Sequence, residues 1–219
     1  MQLASVYRYM KTEIISEYIR QTLENNEAPS SVYLFCKTLG MEEKSFYDHF
    51  SSLEALQDDI FNQWFLAVRD KVTTTEVYSS YSAREKLLAF FFAWFETLKE
   101  YRSYVNYQYK KHKGKGPSPM QLNFLNGMKR NFIEWAQQLM NEGMGTKEIE
   151  ERKFISNKYG DAAWLNLLFV TDFWLKDKSP AFEKTDEAIE RSVNLAFDLI
   201  GKSPLDSMIE FGKFLFQNR

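Results

Sequence analysis

The side chains able to do covalent or metal chemistry are few and scattered. Two histidines, His49 and His112, and one cysteine, Cys36, are spread along 219 residues. No His/Cys set has the spacing of a metal site. No Gly-rich phosphate loop and no G-x-S-x-G nucleophile elbow occurs. Adjacent carboxylates at Glu42-Glu43, Asp58-Asp59 and Glu150-Glu151 lie in polar surroundings, and they read as solvated helix faces rather than acid/base pairs. No catalytic residue, metal ligand or cofactor is therefore expected, and the chain does not read as an enzyme. Binding chemistry remains, carried by 19 Phe, 12 Tyr and 5 Trp.

The elements that must position these side chains read as helices. Apolar residues make up 44% of the chain, with only 9 Gly and 5 Pro, enough for one sizeable core or two abutting ones. Val6 to Asn25 is amphipathic, with Tyr7, Met10, Ile14, Tyr18 and Leu23 on one side. A long helix follows Ser52, fraying near Thr73. Ser82 and Glu85 form a capping box for a helix to about Lys99. Ser118-Pro119 restarts a helix that Gly143 and Gly145 end, and Thr146 caps the next region. Ala162 to Leu175 is apolar on nearly all sides. Thr185 caps a helix to Ile200, and Ser203-Pro204 opens a last one over 204–217. A single cysteine excludes an internal disulfide. No signal peptide and no apolar run of bilayer length is seen, so a cytoplasmic protein is expected.

Between the first two long helices lies SVYLFCKTLGMEEKSFYDHFSSLEAL, Ser31 to Leu56. Val32, Phe35, Cys36 and Leu39 share one helical face. Gly40 can take the left-handed conformation that ends a helix and turns the chain. Phe46, Tyr47 and Phe50 repeat the apolar spacing, and Ser51 with Glu54 forms a capping box. Two short helices joined through a glycine are a helix-turn-helix signature. The run resembles that of the TetR family of bacterial regulators. Val32, Phe35, Cys36, Leu39, Gly40, Met41, Ser45, Phe46, Tyr47, His49, Phe50, Ser52, Glu54 and Leu56 fall in register without a gap.

The resemblance implies an all-α, TetR-like fold. A three-helix DNA-binding head, 1–60, would precede a ligand-binding and dimerisation body, 61–219. It implies a homodimer that binds double-stranded operator DNA through the helix around Lys44, with Lys37, Lys44, Ser45, Tyr47 and His49 at the DNA. It implies an apolar pocket in the body for a small apolar or aromatic ligand, with Trp94, Tyr107, Phe132, Trp135, Phe169 and Phe173 as candidate walls. Pairing through the last long helices would use Trp164, Leu168, Asp172, Val193 and Phe197.

The head departs from the family pattern in charge. Residues 1–60 hold five Lys or Arg against ten Asp or Glu, a balance of −5 within an overall −2. Glu42 and Glu43 replace small polar and basic residues, and Leu53 stands where a phosphate-contacting lysine is common. Affinity for DNA comes largely from neutralised phosphates, so a second function class stays open. It is a TetR-fold lipid or hydrophobic-metabolite binding protein that has lost DNA binding. The apolar tail (Leu205, Met208, Ile209, Phe211, Phe214, Leu215, Phe216) would then touch a membrane, helped by the basic loop at 110–115.

Overall fold

The computed structural model describes residues 2–112 and 122–201, with side chains from residue 10. The expected tail helix at 204–217, the helix start at Ser118-Pro119 and most of the basic loop at 110–115 lie outside the described residues. Among the described residues every regular element is helical, as the composition implies. The chain divides into two compact units, Met1–Ala67 with Glu96–Lys129, and Val68–Phe95 with Arg130–Arg219.

The first unit begins with α1, Gln2–Asn25, four residues longer at its start than the amphipathic pattern marks. It buries Ile14, Ile15, Tyr18 and Ile19, and Asn26 in the left-handed region (φ 52°) turns the chain out of it. Helix α2 spans Val32–Leu39. The Ser31 hydroxyl accepts the Leu34 N–H at 3.2 Å, satisfying one of the donors that a helix start leaves open. Gly40 has φ 69°, and the Gly40 and Met41 amides return to the carbonyls of Lys37 and Cys36. An L side chain at Gly40 would be strained, which is why glycine stands there. Helix α3, Glu43–Tyr47, buries Phe46. The Phe46 ring meets Phe35 and Phe50, each at 5.9 Å, and Phe35 meets Tyr18 at 6.2 Å. These edge-on and tilted contacts fix α1, α2 and α3 against one another.

Helix α4 spans Leu53–Thr73 and ends where the fraying was expected. Its cap is Ser52, whose hydroxyl accepts the Ala55 N–H, not Ser51 as the spacing suggests. Helices α5 (Ala83–Glu100), α6 (Arg102–His112) and α7 (Asn126–Gly145) follow. In the first unit Phe61, Trp64, Tyr101, Tyr104 and Phe124 form one ring cluster, tightest at Trp64–Tyr101, 4.3 Å.

In the second unit the Ser82–Glu85 box forms as expected: the Ser82 amide donates to Glu85 at 2.8 Å and the Glu85 amide to Ser82 at 3.3 Å. Helix α7 runs through Gly143 and ends at Gly145, the second of the two glycines expected to stop it. Residues 146–158 open no helix at Thr146; α8 begins at Tyr159 and reaches Lys176. Gly160 sits where α8 crosses α7 so closely that a Cβ would lie 2.6 Å from the Ile133 carbonyl oxygen.

Helix α9, Glu183–Ile200, is capped from outside its own start. Thr185 lies within it, and both its amide and its hydroxyl donate to Asp177, at 3.0 and 2.7 Å. The Ser179 amide and hydroxyl donate to the other Asp177 oxygen. At the far end the Arg152 guanidinium donates to the carbonyls of Ile200 and Gly201, closing the α9 terminus.

Burial pushes the Asp177 carboxyl up, but the bonds from Ser179 and Thr185 outweigh it and hold its pKa at about 2. A depressed folded pKa contributes stability above the unfolded value of roughly 3.9. That contribution disappears as pH falls towards 2. Asp177→Asn should therefore lower stability by about 2 kcal/mol at pH 7. The gap between variant and wild type should narrow between pH 4 and pH 2 in urea titrations. A gap independent of pH would show that Asp177 acts through shape alone.

Candidate nucleic-acid interface

The candidate interface is built on α2, Gly40 and α3. Phe46, with no exposed surface, sets the rotation of α3. Lys37 and Lys44 are exposed, and 52% of Tyr47 is in solvent. Ser45 is half-buried. His49 is half-buried too, and burial lowers its pKa, opposed by Asp48 and reinforced by Lys11. Burial thus works against a positive charge on this ring.

The cations of the head differ in availability. Lys11 pairs with Asp59 at 2.6 Å and lies over the Phe50 ring. Arg20 is held between Glu17 and Glu24. Among the described side chains of 10–60, Lys37 and Lys44 are the basic groups without a carboxylate partner, and both belong to the α2–α3 turn. The charge deficit read from the sequence is thus partly internal. Two residues that sequence reasoning passed over, Tyr33 and Leu34, are exposed on α2 beside Lys37. The signal was available: Val32, Phe35, Cys36 and Leu39 claim the inner face and leave 33 and 34 outside.

One turn of α4 holds this head within the first unit. Gln57 accepts the Tyr18 hydroxyl of α1 at 3.3 Å and donates to Gln108 of α6 at 3.2 Å. Gln108 donates to the Tyr104 hydroxyl at 2.7 Å. Asp58 accepts the Gly127 amide at the start of α7, and Asp59 pairs with Lys11 of α1. Three consecutive residues therefore tie α4 to three other helices. Asp58 and Asp59 are not the solvated pair that their neighbours in sequence suggested. Burial pushes the phenols of Tyr18 and Tyr104 well above their ordinary range, so both stay protonated.

The predicted ligand walls are placed less uniformly. Trp94, Phe132 and Trp135 are buried together in the second unit, with Phe90 between them at 6.1, 5.7 and 4.7 Å. Tyr107 belongs to the first unit and is half-buried. Phe169 and Phe173 do not join the cluster: they are exposed on α8, because their side of that helix points away from the core.

The predicted pairing residues need a matching correction. Trp164 packs on Phe132 at 5.7 Å. Val193 and Phe197 are fully buried, with the Arg84 guanidinium over the Phe197 ring. These three are internal to the protomer. Leu168 and Asp172 are half-buried, with Asp172 paired to Lys176. The open apolar residues of α8 are Leu165, Phe169 (59% exposed) and Phe173, at four-residue spacing, and those of α9 are Leu195 (60%) and Leu199. The two helices pack on each other.

Residues 86–215 match the family model described as the tetracyclin repressor-like C-terminal domain. No curated protein matches the chain. Among solved structures, a regulatory protein of the tetR family from Rhodococcus RHA1 is similar, with a TM-score of 0.53 at 16% identity, over 87% of this chain and 96% of that one. A structure from Shewanella sp. PV-4, described as a tetR family transcription regulator, gives a TM-score of 0.58 at 13% identity, over 87% and 97%. A protein of unknown function from Rhodococcus sp. RHA1 gives 0.53 at 13%, over 88% and 95%.

Proposed function

The chain belongs to the tetracycline-repressor (TetR) family, and on that premise we propose that it is a ligand-responsive regulator that binds operator DNA as a homodimer. The observation that carries this reading is the α2–Gly40–α3 turn, which presents Lys37, Lys44 and Tyr47 to solvent while the other described cations of the head are paired internally. Residues 1–60 act as the DNA-binding head and 61–219 as the body. Leu165, Phe169, Phe173, Leu195 and Leu199 supply the paired face, in place of Trp164, Val193 and Phe197. The occupant is a second copy of this chain: apolar stripes on two packed helices bury themselves well against their own symmetry mates.

A small apolar or aromatic ligand enters the body among the Trp94, Phe132 and Trp135 rings. It acts by population shift, favouring a dimer whose heads no longer match successive major grooves. The protein works in the cytoplasm and catalyses nothing. No helix among the described residues is long and apolar enough to cross a membrane.

The test is repeated selection from a random duplex pool at low and moderate salt. The expected result is a palindromic motif. Tyr47→Ala should abolish it. Lys37→Ala should weaken binding evenly across sequences and lower the salt slope by about 1. No enrichment at low salt would sink this reading. The alternative, a lipid or hydrophobic-metabolite binding protein on the same scaffold, is favoured by one observation, the carboxylate excess of the head. It would be recognised by lipid co-purifying with the protein.

A further inference from the structure

The reading helix carries charge that no ion pair in the head neutralises: Lys44 is exposed, and Glu43 is half-buried, with its charge felt by the Cys36 thiol of α2. Glu43 and Lys44 make no ion pair and no side-chain hydrogen bond among the described residues, and the Glu42 side chain gives no cap to α3. Three other carboxylates of the head do find cations: Glu17 and Glu24 hold Arg20, and Asp59 holds Lys11. The buried Phe46 orients α3, and at 100° per residue Glu43 shares a side with exposed Tyr47 while Lys44 shares the next with Asp48. Glu43 and Lys44 therefore stand side by side on a helix whose inner face is already fixed.

A carboxylate without a cation partner, brought against DNA, cannot be indifferent. It accepts hydrogen bonds and cannot donate them. Against phosphate, or against the O6 of guanine or O4 of thymine, it meets only other acceptors. The major groove offers it two donors, the N4 amine of cytosine and the N6 amine of adenine. Beside the adenine amine stands N7, an acceptor that opposes the second carboxylate oxygen. Cytosine has no such neighbour. A lysine ammonium has the complementary need, three donors and no acceptor, which the N7 and O6 of guanine meet.

We propose that Glu43 and Lys44 set the base preference of this head, so that each operator half-site carries a cytosine read by Glu43 next to a guanine read by Lys44. The proposal rests on the DNA-binding reading above and goes beyond it by naming the base step. It also gives the acidity of the head a role. A surface with few free cations binds phosphate weakly, so base contacts decide a larger share of the affinity. A carboxylate among the reading side chains penalises every site that lacks its donor.

The experiment is selection from the random duplex pool with the wild-type chain, Glu43→Gln and Glu43→Ala, followed by titration of the selected duplex and its single-base variants. Wild type should prefer cytosine over adenine at one half-site position by roughly tenfold. The carboxamide of Glu43→Gln can accept and donate together and so pairs with both N6 and N7 of adenine. It should move the preference at that position from cytosine to adenine. Glu43→Ala should lose the preference without gaining a new one. Because Glu43 makes no side-chain hydrogen bond, both variants should melt with wild type by circular dichroism. A wild-type motif that both variants reproduce unchanged overturns the proposal and leaves the regulator reading standing. No motif for any of the three, at low salt, overturns both.

Discussion

On the proposed homodimer, Phe169→Glu should leave the chain monomeric at micromolar concentration. Phe169 is 59% exposed in the isolated chain, midway along the Leu165–Phe169–Phe173 stripe. In a two-fold pair every substitution occurs twice. Each lost ring removes about 1.5–3 kcal/mol of apolar burial, and each new carboxylate must be desolvated without a partner. The two copies together should weaken association by 5 kcal/mol or more, roughly a thousandfold or greater change in dissociation constant. Sedimentation equilibrium reads this directly. Phe154→Glu is the control, since Phe154 is exposed in the 146–158 segment, off α8 and α9, and it should leave the dimer intact. A wild-type chain that is monomeric in the same range would remove the paired face from the account.

Gly160→Ala should be the most damaging added methyl among the described glycines. Its Cβ would lie 2.6 Å from the Ile133 carbonyl oxygen and 3.1 Å from the Gln137 Cβ. Neither can yield cheaply. The first is helix backbone. The second belongs to a side chain pinned at both ends: Gln137 accepts the Gly160 amide and donates to the Ser156 carbonyl. Helices α7 and α8 would have to part, and the Phe132–Trp164 contact lies across the same pair of helices. The cost should be on the order of 3 kcal/mol, a fall of about 10 °C in melting temperature for a chain of this size. Gly145→Ala provides the contrast. Nothing lies within 4 Å of its added methyl, and alanine is the better helix former, so it should be neutral or stabilising by up to about 1 kcal/mol. Equal melting of the two variants would mean that the α7–α8 approach is looser than the structure has it.

The difference between these two glycines shows what a sequence can carry. Gly145 stands at the end of α7, as expected of it, whereas nothing near Gly160 announces the close approach of α7; neither has the left-handed backbone of Gly40. Gly40 was legible because its reason is local: the chain must turn within two residues. The Ser82–Glu85 box was legible for the same cause. The ties of α4 were not, because Gln57 meets Gln108 across 51 residues and nothing near Gln57 announces it. Asp177 was missed as the α9 cap because it lies eight residues before Thr185, beyond the usual capping distance. On α8 the difficulty was excess. With Trp164, Leu165, Leu168 and Phe169 all apolar, periodicity cannot choose a face, and one residue of error turns the helix by 100°. On α9, Val193 and Phe197 were expected at the pairing face; with Ile189 they share one four-residue stripe that is buried within the protomer, while Leu195 and Leu199 are exposed.

The Tyr18–Gln57–Gln108–Tyr104 row also has a direction. Two phenols at the ends and two carboxamides between them can be joined by three hydrogen bonds in either of two senses, each the reverse of the other. In one sense Tyr18 gives its proton inward and the Tyr104 proton points out of the row; in the other the roles exchange. Both carboxamides must turn over together to pass between them, since a single flip sets two donors or two acceptors face to face. Helices α1 and α6 are thus joined by a proton order as well as by position, and a group that accepts from one terminal phenol selects the sense of the whole row.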